Sequence, residues 1–127
     1  MTELAHDLTV NLEEDRPGAL AAVLGVVARA GVNLEGYALI EGLLHFLTKD
    51  AATARSALLA AGVHVRRQRD VLVVYAENRV GAAARIFRRI ADAGINVHFS
   101  YVLADNRVVI GADSLAELAR LGLDDAG

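Results

Sequence analysis

The sequence predicts an α+β protein made of two tandem β-α-β-β-α-β units, each an antiparallel sheet with helices on one face. Three observations carry this expectation. The first is an internal duplication. Glu14-Asp15-Arg16-Pro17-Gly18-Ala19, followed by an apolar helix and Ala30-Gly31-Val32-Asn33, returns 63 residues later as Glu77-Asn78-Arg79-Val80-Gly81-Ala82, a helix and Ala93-Gly94-Ile95-Asn96. Glu14, Arg16, Gly18, Ala19, Ala21, Ala28, Ala30, Gly31 and Asn33 all keep their residue at that offset, which marks a repeated structural unit. The second is strand-like alternation over 7–14, ahead of the first copy, and the third is helical periodicity within each copy.

In the first copy, Leu8, Val10 and Leu12 alternate with polar residues over 7–14, as in a half-buried strand. Asp15 is an expected N-cap and Pro17 suits the first helical turn, where its missing N–H costs nothing. Leu20, Val23, Leu24 and Val27 then form one stripe, and Gly31 stops the helix in a left-handed C-cap. Residues 33–40 read as a strand, Gly42 as a hairpin turn and 43–49 as the next strand. Asp50 is the expected cap of a second helix over 51–61, ended by Gly62, and 63–69 is a short basic strand. The second copy follows without a linker, so the modules are set at 1–69 and 70–127. Its expected elements are a strand over 71–77, a helix over 81–93 with Ala83, Ile86, Phe87 and Ile90 inward, and a strand over 95–103. A turn at Ala104-Asp105-Asn106 and a strand over 107–112 follow, then a helix over 114–120 capped by Asp113. The chain ends where the fourth strand is due, so the second unit lacks its last strand. A segment of the first copy or another subunit must cover that edge. This element order is the ferredoxin-like pattern.

Composition excludes several classes of function. The chain of 127 residues is 54% apolar with positive mean hydropathy, enough to bury a core, and it has no apolar run long enough to cross a membrane. The first seven residues lack the basic start and apolar stretch of a signal peptide, so a cytoplasmic protein with no membrane contact is expected. There is no cysteine, which removes disulfides, thiol catalysis and cysteine metal sites. The net charge of −3 argues against a general nucleic-acid binder. Aromatics are 5% and no RNA-binding aromatic strand is present. Arg66-Arg67-Gln68-Arg69 is a short basic run that reads as a solvated edge or a phosphate patch. His6, His45, His64 and His98 show no metal-ligand spacing. His45, between Leu44 and Phe46, reads as a sheet-face residue. No nucleophile elbow, P-loop or dinucleotide glycine motif appears, so no catalysis, metal or cofactor is expected.

A strand, then Asp15-Arg16-Pro17-Gly18-Ala19-Leu20, a helix, and Ala30-Gly31-Val32-Asn33-Leu34 before a hairpin resembles the ACT domain, a small regulatory module that binds amino acids. The likeness covers nearly the whole chain as a tandem pair, with Val80 standing where the family usually has proline. It implies ligand-binding positions at Asp15, Arg16, Pro17, Gly18, Ala19, Leu20, Asn33 and Leu34. In the second copy it implies Asn78, Arg79, Gly81, Ala82, Asn96, Val97 and His98. It further implies that the 15–20 loop faces 96–101 and the 78–83 loop faces 33–38. The chemistry is consistent with a zwitterion. Amides at a helix N-terminus attract a carboxylate, Gly18 and Gly81 leave its approach open, and Asp15 can accept from an ammonium group while Asn78 can donate or accept. Asn33 and Asn96 are expected close to the same loops. Tyr37, Ser100 and Tyr101 are further pocket candidates, and His98 reads either as a ligand contact or as a surface residue.

Each of these residues taken alone also suits a plain helix start or stop; the duplicated set is what points to binding. The resulting expectation is a stand-alone regulatory module that binds an amino acid or similar small carboxylate, forms a homodimer and acts in trans on an enzyme or pathway. The alternatives are an interaction protein that dimerises or docks on an enzyme through its sheets without a ligand, and a small ferredoxin-like enzyme.

Overall fold

Leu8 and Val10 are fully buried on one face of the first strand, β1 (Glu3–Asn11), as period-two alternation requires. The structure, a computed structural model, describes residues 2–12 and 16–126, without the side chains of 125 and 126. After β1 come α1 (Ala19–Arg29), β2 (Gly36–Ile40), β3 (Leu43–Thr48), α2 (Ala51–Ala60), β4 (Val65–Tyr75), α3 (Ala82–Asp92), β5 (Val97–Val102), β6 (Arg107–Ala112) and α4 (Leu115–Ala119). Short 3-10 turns occupy Ala104–Asn106 and Leu123–Ala126. The chain divides into two units: His6–Arg69, and Met1–Ala5 together with Asp70–Gly127.

In the first unit the strand order is β2-β3-β1-β4, the ferredoxin-like arrangement. Leu8 lies opposite Phe46 and Val10 opposite Leu44 in the antiparallel β1–β3 register. These four pack with Val23 and Val27 of α1 and with Ala51, Ala54 and Leu58 of α2. Leu20 and Leu24, expected on the α1 stripe, pack at its margin. Burying a side chain the size of Phe46 contributes roughly 1.5–3 kcal/mol. Glu41 and Gly42, both at positive φ, make the two-residue hairpin turn expected at Gly42. Asp50 caps α2 by accepting from the Thr53 amide at 3.1 Å, and Gly31 follows α1 at φ 77°.

On the opposite face of this sheet Asp7 and Thr9 are buried, and the Asp7 carboxylate takes the Thr9 hydroxyl at 2.9 Å and His45 Nδ1 at 3.1 Å. A carboxylate without solvent needs such partners. His45 is a sheet-face residue, as its alternation indicated, and Asp7 is the reason a histidine stands there.

In the second unit the order is β1-β4-β6-β5. Leu72, Val74, Val108 and Ile110 meet Ile86 and Ile90 of α3, Leu118 of α4 and Leu123. Among the described residues no strand follows α4, as expected. The edge is taken by the first residues of β1, which group with this unit. Thr2 Oγ1 donates to Asp124 at 2.7 Å, the Tyr75 amide donates to the same carboxylate at 2.9 Å, and Glu3 pairs with Arg107 at 3.4 Å.

Several sequence expectations are corrected. The first strand begins at Glu3 rather than Asp7, because residues 3–5 serve the second unit. The strands expected over 63–69 and 71–77 are one uninterrupted strand, β4; Asp70 is a polar residue within an extended run and not a break. The helix α1 starts at Ala19, with Gly18 as N-cap at φ 89°, so Pro17 lies in the preceding turn. The expected cap Asp15 lies outside the described residues. Ala82 is buried where Ala83 was expected, matching the one-residue later start of α3. β2 begins three residues after Asn33 and β5 just after Asn96. Ser114, and not Asp113, caps α4 by accepting from the Glu117 amide. The Leu103 amide donates to the Arg107 carbonyl at 2.7 Å, so three residues, 104–106, close the second hairpin against two between β2 and β3. The offset between copies therefore grows by one there, and Ser114 falls where Asp50 stands in the first unit.

Candidate functional site

The two helices that open the repeats start differently from the other two. α2 and α4 are capped by Asp50 and Ser114 side chains. α1 and α3 begin at left-handed Gly18 and Gly81, with no side-chain cap hydrogen bond. A glycine at φ near 90° turns the chain into the helix at no steric cost, but it has no side-chain oxygen to offer. The Ala19 and Ala82 amides turn back to the Arg16 and Arg79 carbonyls at 3.2 and 3.3 Å; the amides that follow them, with the positive end of the helix dipole, are where an outside acceptor would sit.

In the first unit this helix start borders a hollow of about 230 Å³, below the size of typical drug-binding pockets and suited to a small metabolite. Asn11 and Leu12 at the end of β1 form one wall. Arg16, Ala19, Ala22 and Val23 form the helix side, and Gly62, Val63 and His64 from the α2–β4 connection form the third. A guanidinium, an imidazole, a carboxamide and a methyl-lined floor surround the space, a donor-rich lining that suits an anion. Of the predicted set, Arg16 and Ala19 line this hollow. Pro17, Gly18 and Leu20 shape its rim along the chain without lining it, and Asp15 lies outside the described residues. Asn11, Leu12 and the 62–64 segment were missed. Their signal was topological: in a βαββαβ unit the end of the first strand, the start of the first helix and the approach to the fourth strand share one end of the sheet.

Asn33 and Leu34 are not beside that loop, contrary to expectation. They follow the C-terminus of α1, and eleven helical residues span about 16 Å. Asn33 lines a different hollow of about 260 Å³ with Gly31, Val32, Glu35, Thr48, Lys49 and Asp50. There Asn33 Nδ2 donates to Glu35 at 2.9 Å and Lys49 pairs with Glu35 at 3.6 Å. Thr53 hydrogen bonds hold the Asp50 carboxyl below the usual carboxylate pKa.

The second unit repeats this separation. Asn78, Arg79, Gly81 and Ala82 lie at the start of α3, whereas Asn96, Val97 and His98 lie past its end. Arg79 Nε pairs with its neighbour Glu77 at 2.9 Å, and Val80 is 99% exposed. His98 Nε2 closes onto Asp113, whose amide donates to the Asn96 carbonyl at 3.2 Å. This pair stands where Glu35–Lys49 stands in the first unit, with acid and base exchanged. Tyr37 is exposed on β2, while Phe99 and Tyr101 stack on each other at 6.2 Å.

Acid–base chemistry finds little support in these positions. Asp7 and Thr9 both contact the same nitrogen, Nδ1, of His45, so no relay runs from carboxylate through the ring to the hydroxyl. Among the described residues no group of three or more His, Cys, Asp or Glu side chains is placed to hold a metal ion, and no helix is long and apolar enough to cross a membrane.

Comparison with known proteins agrees with this architecture. The ACT domain family model matches residues 71–119. A crystal structure of a protein from Bacteroides thetaiotaomicron superposes with a TM-score of 0.77 at 23% identity, covering 95% of this chain and 86% of that one. The ligand-free regulatory subunit of aspartate kinase from Thermus thermophilus gives 0.71 at 18% identity, covering 99% and 95%. Escherichia coli aspartokinase III in complex with lysine and aspartate gives 0.62 at 13% identity, covering 98% of this chain and 31% of that enzyme. No curated protein sequence matches the chain. The shared fold is the tandem ferredoxin-like arrangement.

Proposed function

We propose that this protein is a regulatory module that binds an amino acid, or a similar small carboxylate, in the hollow at the start of α1. The observation that carries the reading is the helix start without a side-chain cap, opening on a space of about 230 Å³ beside Arg16, Ala19 and His64. The ligand carboxylate meets the amides that follow Ala19 in the first turn of α1 and the Arg16 guanidinium. Asp15, the residue before Arg16 in the chain, is the acceptor for its ammonium group. The ACT domain family match at 71–119 and the fold shared with aspartate kinase regulatory subunits support a regulatory role over a catalytic one. Regulation in trans then follows from linkage: an amino acid that favours one packing of the protein shifts what a partner enzyme meets. We place this activity in the cytoplasm, with the protein as a homodimer.

The test is thermal melting against the twenty amino acids at millimolar concentration. Binding to the native state alone adds roughly 2.7 kcal/mol at a hundred times the dissociation constant, a shift of several degrees for a chain of this size. One amino acid is expected to raise the melting point of the native protein. Gly18→Val and Arg16→Ala are expected to abolish or sharply weaken that shift. A flat panel, or a shift both variants keep, refutes the reading.

A second reading is favoured by one observation. Tyr37, Leu39 and Ile40 are exposed side chains on the edge strand β2, which lacks the lysine or proline that usually blunts an edge. On that reading the protein docks on itself or on an enzyme by strand addition without a ligand. Solution mass with and without the amino acids separates the two.

A further inference from the structure

The duplication makes one position in the helices informative beyond the reading above, on which this inference rests. The offset of 63 holds throughout α1 and α3, so Gly18 matches Gly81, Ala19 matches Ala82, Val23 matches Ile86 and Val27 matches Ile90. At the same offset, Ala22 of α1 matches Arg85 of α3. Ala22 lines the hollow of the first unit, and its methyl group leaves that space open. Arg85 carries a long side chain from the corresponding position, and its guanidinium folds back over the start of α3. A Cβ built on Gly81 would lie 3.0 Å from Arg85 Nη1.

We propose that ligand binding is confined to the first unit, and that position 22/85 decides it: Ala22 keeps the α1 hollow open, and Arg85 occupies the matching space at α3. Over α3 the Arg85 side chain therefore excludes the ligand by bulk, filling the space that Ala22 leaves open over α1. The protein holds one amino acid per chain.

The proposal is tested by nuclear magnetic resonance of the full-length protein, titrating each of the twenty standard L-amino acids separately. At least one is expected to shift the Ala19 and Leu20 amides while leaving Ala82 and Ala83 unmoved. Ala22→Arg, at an exposed helical position, is expected to weaken that binding by more than about tenfold with the spectrum of the fold retained. Arg85→Ala is expected to bring shifts at Ala82 and Ala83 with the same amino acid. Shifts at both helix starts in the native protein, unchanged binding in Ala22→Arg, or a silent α3 in Arg85→Ala each overturns the proposal while leaving the ligand reading intact. Silence at both helix starts with all twenty amino acids overturns the ligand reading and this proposal with it.

Discussion

Asp7 shows how far a single residue departs from what its type suggests. An aspartate in an alternating strand reads as a solvent-facing position, yet its side chain is fully buried and held by Thr9 and His45. Removing one partner of such a group exposes the desolvation cost of the other, on the order of 1–3 kcal/mol. His45→Leu is therefore expected to lower stability by about that much in urea unfolding. Asp7→Leu combined with His45→Leu is expected to recover part of the loss, since an apolar pair often replaces a buried polar one at little cost. A double variant as unstable as the sum of the singles contradicts this account. Gly111 is the reverse case, a residue chosen for what lies over it. A Cβ there would fall 2.3 Å from the Phe99 ring, so the glycine seats an aromatic that stacks on Tyr101.

Helix starts are where element and function meet. The capped helices α2 and α4 are closed by their own side chains; the glycine-started helices α1 and α3 are not. Ser114→Ala is expected to cost about 1 kcal/mol, whereas Asp113→Ala should leave the α4 cap intact and chiefly release His98. Equal losses in chemical unfolding would return the cap to Asp113. The earlier placement of that cap illustrates a limit on repeat arithmetic. The 63-residue spacing is legible because it governs the motif and its helix, but one residue added in the second hairpin moves every later match by one. Turn length is set by whether two residues or three close the strands at the right twist, and apolar periodicity does not register that choice.

Across the whole molecule, the residues that complete the second unit come from the opposite end of the chain. Asp124 ties Thr2 and the Tyr75 amide together. Burial alone would raise its pKa, yet these hydrogen bonds hold it below the ordinary carboxylate value. A carboxylate depressed in the folded state contributes stability that is present above the unfolded pKa of about 3.9. That contribution is lost as pH falls through the lower folded value. Asp124→Ala is expected to reduce stability at neutral pH and to speed amide exchange over Val71–Tyr75 more than over Leu8–Asn11. The gap between variant and native protein should close in acid. A gap that stays constant with pH would remove Asp124 as the tie.

The local grammar of this protein was legible in its sequence alone: the β-α-β-β-α order of both copies, the Gly31 stop and the Asp50 cap. Each is written in short-range periodicity and in residues with restricted backbone conformation. The Arg16 and Ala19 side of the hollow belongs to that group, because it is carried by the duplicated motif itself. Tertiary structure alone decided the rest. It showed that Asp70 runs inside a single long strand, that residues 3–5 finish a unit some sixty-five positions away, and that Asn33 and Arg16 sit at opposite ends of α1. It also brought the 62–64 segment to the helix start. Pairings of this kind are chosen by which edges remain open and which apolar faces remain uncovered after the local elements form. That competition is settled across the fold, and no window of sequence contains it.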